Sequence, residues 1–165
     1  MKIQANQLAA HLKKSLAPCY LVSGDEHLLV GEALDAIRAV ARVRGFSLRE
    51  LHVATTGFDW TELTASSGNM SLFAEQRIIE LRLPTGKPGR AGSIAITELV
   101  KTADPDTLFI VSTPKLDRGT AAAKWAKAID AAGVTLTIYP VGVRELPGWI
   151  ANRMRSAGLQ PNRDA

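Results

Sequence analysis

The stretch CYLVSGDEHLLVGEALDAIR, residues 19–38, decides the fold class. Cys19 to Val22 form a short apolar run that stops at Gly24. From Asp25 onward the apolar residues return at helical spacing, at Leu29, Ala33, Ile37 and then Val40, until Gly45 ends the pattern as glycine ends a helix. A buried strand feeding a helix through one tight turn is the first half of a crossover, and a crossover returns the chain to a parallel neighbour.

Working outward, the same alternation repeats. NQLAAHLKKSL (6–16) has helical spacing at Leu8, Leu12 and Leu16; LRELHVAT (48–55) reads as a strand, FDWTELTASS (58–67) as a short helix and QRIIELRL (76–83) as a strand. Then come a helix in RAGSIAITELVKTAD (90–104), a strand in TLFIVST (107–113), a helix in RGTAAAKWAKAIDAAG (118–133) and a strand in VTLTIYP (134–140). Five strands separated by helices predict a three-layer α/β domain built on a mostly parallel sheet. TLFIV is apolar throughout, as a strand covered on both faces must be. The domain is expected to span residues 1–140. In the remaining residues, 141–165, one amphipathic helix carries Leu146, Trp149, Ile150 and Met154 on one face. One helix cannot make a core, so this segment reads as the start of a second domain.

Composition sets the outer bounds. The chain has 165 residues, of which 46% are hydrophobic and 22% charged, which suits one globular core. Twenty Lys and Arg against sixteen Asp and Glu give a net charge of +4, with the cations spread along the chain in no single run. That balance is compatible with work near nucleic acid. The single cysteine, Cys19, allows no internal disulfide, the amphipathic start MKIQANQLAAHLKKSL lacks a signal-peptide core, and no apolar run approaches the ~20 residues of a membrane span. A cytoplasmic protein is expected.

A parallel sheet invites a nucleotide, and the place to look is the turn after the strand at 19–23. A P-loop needs two glycines and a Gly-Lys-Ser/Thr end, so that backbone N–H groups wrap the phosphates and the lysine reaches them. SGDEHLL (23–29) has one glycine, no lysine, and two carboxylates, Asp25 and Glu26, at the positive end of the helix, where they would repel phosphate. These two are expected to cap the helix. LRLPTGKPG (81–89) holds a Gly-Lys pair, Gly86-Lys87, but Leu81 stands where the first glycine belongs and Pro88 where the hydroxyl belongs, so it reads as a loop. His11, His27 and His52 lie on separate elements without ligand spacing, and Cys19 heads a buried strand, so no metal or other cofactor is expected. No catalytic constellation is visible either. Lys13 with Lys14, and Lys124 with Lys127, read as the wet sides of helices that bury Leu12, Leu16, Trp125 and Ile129.

One stretch stands out against this background. Met70, Leu72 and Phe73 follow the polar TASSGN (64–69) and precede a buried strand, in a connection that would normally be short and polar. An extended segment points 70 and 72 opposite to 73, so the three cannot all turn inward. Either one of them staples the loop to the sheet while the others stay in water, or they are meant for another protein, where each could contribute roughly 1.5–3 kcal/mol by burial.

YLVSGDEHLLVGEALDAIR, GFDW, NMSLFAEQRIIELRLP, TPKLD and ELPGWIANRM occur in that order and at the spacing of one family, and together they cover nearly the whole chain. On these motifs the sequence resembles the delta subunit of the bacterial DNA polymerase III clamp loader. The resemblance implies a P-loop NTPase or AAA+ type fold that binds no ATP, followed by the start of a helical lid. It implies that Met70, Leu72 and Phe73 are the wedge that enters the beta sliding clamp and opens the ring for DNA. The other implied partners are the tau/gamma and delta-prime subunits of the loader and, through the complex, primed DNA. The chain would then be no enzyme by itself but part of the polymerase III holoenzyme. Past residue 140 the resemblance extends into one helix only; the rest of the lid and the collar of that family have no counterpart in these 165 residues. Two other readings are open: a degenerate AAA+-type ATPase, which would show ATP-stimulated melting or turnover, and a basic DNA-binding module, which would show steep salt dependence.

Overall fold

The computed structural model describes residues 1–68, 76–102 and 104–159. Among them the chain runs β1 (Lys2–Gln4), α1 (Ala5–Lys14), β2 (Cys19–Ser23), α2 (His27–Val43), β3 (Leu48–Val53), α3 (Trp60–Gly68), β4 (Arg77–Arg82) and α4 (Gly89–Thr102). It continues with β5 (Thr107–Thr113), α5 (Arg118–Ala121), α6 (Lys124–Ala132), β6 (Val134–Thr137) and α7 (Leu146–Ser156). The strands form one parallel sheet in the order β1-β6-β2-β5-β4-β3. The first long strand, β2, therefore sits between β5 and β6, with the later crossovers passing to either side of it.

The alternation of side chains across the pleat sorts the core into two layers. Tyr20, Val22, Ile78, Leu108, Ile110 and Leu136 face α1 and α2, meeting Leu8, Leu12, Leu34 and Ile37. Cys19, Leu21, Ile79, Leu81, Phe109 and Val111 face the other way, onto Leu63 of α3, Ile96 and Leu99 of α4, and Trp125 and Ile129 of α6. The three-layer parallel α/β class is as expected, and its central strands β2 and β5 are buried on both faces.

Three details differ from the sequence reading. A sixth strand, β1, pairs with β6 through Lys2↔Thr135 to Gln4↔Thr137, and its three residues are too few to show a period. The helical stretch expected over 118–133 is two helices, since the chain turns at Ala122 and Ala123 before Trp125 enters the core. The break falls among alanines, the best helix formers, so packing overrides propensity there. Third, the helix expected over 144–156 starts two residues later, as α7 at Leu146, with Leu146 and Ile150 exposed and its Arg153 guanidinium both paired with Glu32 of α2 and stacked on Trp149, 4.2 Å from the ring centre.

Candidate functional site

The turn between β2 and α2 is where a phosphate would be sought. Gly24 is required there by contact: a Cβ on it would stand 2.8 Å from the Ile138 carbonyl oxygen. The carboxylates that follow do not cap α2, contrary to expectation. Glu26 occupies the N-cap position without a side-chain hydrogen bond, and Asp25 reaches across the sheet, its Oδ1 accepting the Lys115 N–H at 2.9 Å. A carboxylate bound to the loop after β5 holds that loop against the mouth of the cleft. The cleft itself is a cavity of about 580 Å³ at the carboxyl ends of β2, β4 and β5, lined by Gly24, Asp25, His27, Arg82, Ser112 and Pro114 among others. Arg82 is the one Arg or Lys of that lining among the described residues.

The second site lies at the opposite end of the sheet. Met70, Leu72 and Phe73 fall within 69–75, outside the described residues, so only the two ends of the chain that carries them are described. The upstream end is α3. Asp59 Oδ1 accepts the Thr61 N–H at 2.8 Å and its hydroxyl at 2.6 Å, and these bonds hold the Asp59 carboxyl below its ordinary pKa. Phe58 meets Trp60 edge-on at 4.9 Å, and Leu63, one turn on, is fully buried. The downstream end is Gln76. Its carbonyl accepts the N–H groups of Ser47 and Leu48, at 3.0 and 3.3 Å, and its side-chain amide donates to Asp106 Oδ1 at 3.1 Å. The Asp106 carbonyl in turn accepts the Arg77 N–H at 2.9 Å. The chain on either side of 69–75 is thus tied to its neighbours, roughly 20 Å from the β2–α2 turn by the length of a six-residue strand.

Between the two sites runs an ion-pair cluster that sequence reasoning missed. Glu80, buried in the middle of β4, accepts Arg38 Nη1 of α2 at 2.8 Å and Arg49 Nη2 of β3 at 2.7 Å, and Arg38 also donates to Asp35 at 2.5 Å. The signal was available: a glutamate inside the apolar run RIIEL has to find cations or stay neutral.

The remaining candidates lie on separate elements. His11 Nε2 lies 3.0 Å from the Tyr20 hydroxyl, which also accepts the Ala17 N–H, and burial lowers the His11 pKa. His52 packs edge-on to Phe58, and Cys19 is buried beside Gly133. Among the described residues no three His, Cys, Asp or Glu converge as a metal site, and no helix is long and apolar enough to cross a membrane. Lys13, Lys14, Lys124 and Lys127 lie at the outer sides of α1 and α6, whose Leu12, Trp125 and Ile129 are buried.

Residues 20–138 match the family model described as DNA polymerase III, delta subunit. The DNA polymerase III subunit delta of Escherichia coli K12 is 30% identical over 97% of this chain and 47% of its own length. That of Haemophilus influenzae is 28% identical over 99% and 48%. The chain therefore spans about half the length of the curated relatives it matches. Among solved structures, the Bacillus subtilis DNA clamp loader delta protein superposes with a TM-score of 0.67 at 19% identity, over 93% of this chain and 48% of that one. The crystal structure of a DNA replication initiation factor superposes with a TM-score of 0.52 at 11% identity, over 96% of this chain and 52% of that one, so the likeness to it is one of fold. The fold these structures share with the chain is the parallel α/β sheet described above, and the sequence of the β2–α2 turn carries no P-loop. With a family match over residues 20–138 and a relative 30% identical over 97% of this chain, the chain belongs to the DNA polymerase III delta subunit family.

Proposed function

We propose that this chain is the clamp-binding part of a delta subunit, and that Met70, Leu72 and Phe73 form an apolar wedge that enters a pocket of the beta sliding clamp. Contacts around the wedge distort the clamp's subunit interface, and the ring opens for loading on DNA. What supports this reading is that NMSLF resembles the family's apolar clamp-binding element and falls within the residues, 20–138, that match the delta-subunit model, in a connection whose two ends, α3 and Gln76, are fastened to the domain. A wedge must push against something rigid, and fastened ends supply it.

On this reading the chain has no catalytic activity or cofactor of its own. Support comes from the β2–α2 turn, where Asp25 occupies the phosphate position and is engaged with Lys115. Residues 1–140 are the AAA+-like clamp-binding domain, and 141–165 begin a helical second domain. The tau/gamma and delta-prime subunits and primed DNA are partners through the loader, in the cytoplasm. A pulldown of purified beta clamp on the immobilised chain tests the proposal: retention of the clamp, without added nucleotide, is the expected result, and no retention overturns it.

A further inference from the structure

The motif Gly57-Phe58-Asp59-Trp60 is left unused by the wedge itself, yet it makes the tightest helix contact next to it. Gly57, at φ +82°, turns the chain in a conformation that favours glycine, Phe58 N–H closes the turn onto the Thr55 carbonyl at 3.1 Å, and Asp59 caps the first turn of α3. Trp60 then lays its six-membered ring on α4 at Gly92. A Cβ on Gly92 would lie 2.4 Å from Trp60 Cζ2, 2.6 Å from Cη2 and 2.6 Å from Pro88 Cβ. Those are impossible separations, so the first residue of α3 sits where it does because position 92 has no side chain. Leu63, fully buried in the same layer, fixes the rotation of the helix about that point.

From this seat α3 rises through eight further residues to Gly68, about 12 Å at 1.5 Å per residue, and Met70, the first apolar residue of the segment, comes two positions later in the sequence. Over that length a helix moves as a rod. We propose that Trp60 and Gly92 are positioning residues: their notch sets where the chain leaves the domain toward the clamp, and so sets clamp affinity without touching the clamp. The inference rests on the wedge reading above and adds to it the device that aims the wedge.

The test is clamp binding by G92A, W60F and the double variant W60F/G92A, each at a temperature well below its own melting midpoint, with L72A/F73A alongside. G92A forces Trp60 off α4 and is expected to weaken clamp binding at least tenfold while circular dichroism stays native. The smaller ring of W60F lacks the two Trp60 atoms that collide and leaves the Pro88 Cβ contact in place, so W60F/G92A is expected to recover part of that loss. A structural role alone would lower the melting midpoint and leave native-state affinity unmoved. Should G92A not fold, W60A, which empties the notch, carries the same expectation of a severalfold loss. Wild-type affinity in G92A, or in W60A in its place, overturns the proposal, as does a loss that W60F leaves unrepaired. If L72A/F73A weakens binding while G92A does not, only the seat has failed; if L72A/F73A itself binds like wild type, the wedge reading has failed and the seat with it.

Discussion

Asp25 and Lys115, ninety residues apart in sequence, are joined where a nucleotide's phosphates would otherwise sit, the carboxylate accepting the Lys115 amide at 2.9 Å. A negative charge at a helix N-terminus repels phosphate and satisfies the dipole itself. Calorimetry with millimolar ATP and magnesium is therefore expected to give no saturable heat. Asp25→Ala should lower stability by no more than about 1 kcal/mol, the scale of one exposed hydrogen bond, and should still bind no ATP, because lysine and the wrapping glycines remain absent. Saturable binding by either protein would contradict the reading of this turn.

Glu80 makes the acid side of the stability curve a test of the core. Burial alone would raise its pKa, but hydrogen bonds from Arg49 and Arg38, with their charges, outweigh burial and leave it below the usual carboxylate value. A folded-state pKa below the unfolded one means that the stabilisation is complete above the unfolded value, near 4.5, and is lost as pH falls through the lower folded value. Glu80→Gln takes the counter-charge from Arg49 and leaves Arg38 with Asp35 alone. Arg49 is partly exposed, so the loss at pH 7 should lie at the low end for a broken buried pair, about 3 kcal/mol. Urea denaturation at pH 7 and pH 3.5 checks both points: the wild type should lose more stability between them than the variant does.

Cys19 reports on unfolding. Burial raises its thiol to about 11, only partly offset by the charge of the N-terminus, and its side chain is closed off by α6 and Gly133. At pH 8 alkylation should proceed only through opened molecules and accelerate with added urea. Gly133→Ala should make the thiol reactive without denaturant. Its Cβ would lie 2.0 Å from the Cys19 carbonyl oxygen, a backbone collision that no rotamer relieves, and the expected cost is about 3 kcal/mol or more. Rapid labelling of the wild type would refute the packing described for β2.

What the residues revealed from sequence, and what they hid, follows the range of the interactions. β2, β4 and β5 were legible because burial on both faces leaves a local mark, an unbroken run of apolar residues. β1 was not, because its three residues acquire strand geometry only by pairing with β6, 130 positions on. Asp25 and Glu26 read as helix caps from their neighbours alone; nothing local points to Lys115. Trp60 and Gly92 each look ordinary in isolation, and the notch exists only in their contact. Met70, Leu72 and Phe73 were visible for the opposite reason: three large apolar side chains in a polar connection conflict with their local setting, and the residues alone leave open whether they staple the loop or serve a partner.

The double variant L72A/F73A separates the two readings of that conflict. If the side chains serve the clamp, they add little to the folded core, so the melting midpoint should stay within a few degrees of the wild type. Clamp affinity should nevertheless fall by about 30- to 1,000-fold, the 2–4 kcal/mol expected of an interface hot spot. If they are core residues, the order reverses. Truncating a packed leucine or phenylalanine costs about 2–5 kcal/mol per site, which would lower the midpoint by many degrees while leaving the clamp bound by whatever remains folded. Thermal melts and clamp titrations on one preparation give both numbers. A destabilised variant with undiminished affinity for the clamp would remove Leu72 and Phe73 from the interface, and with them the main support for the wedge.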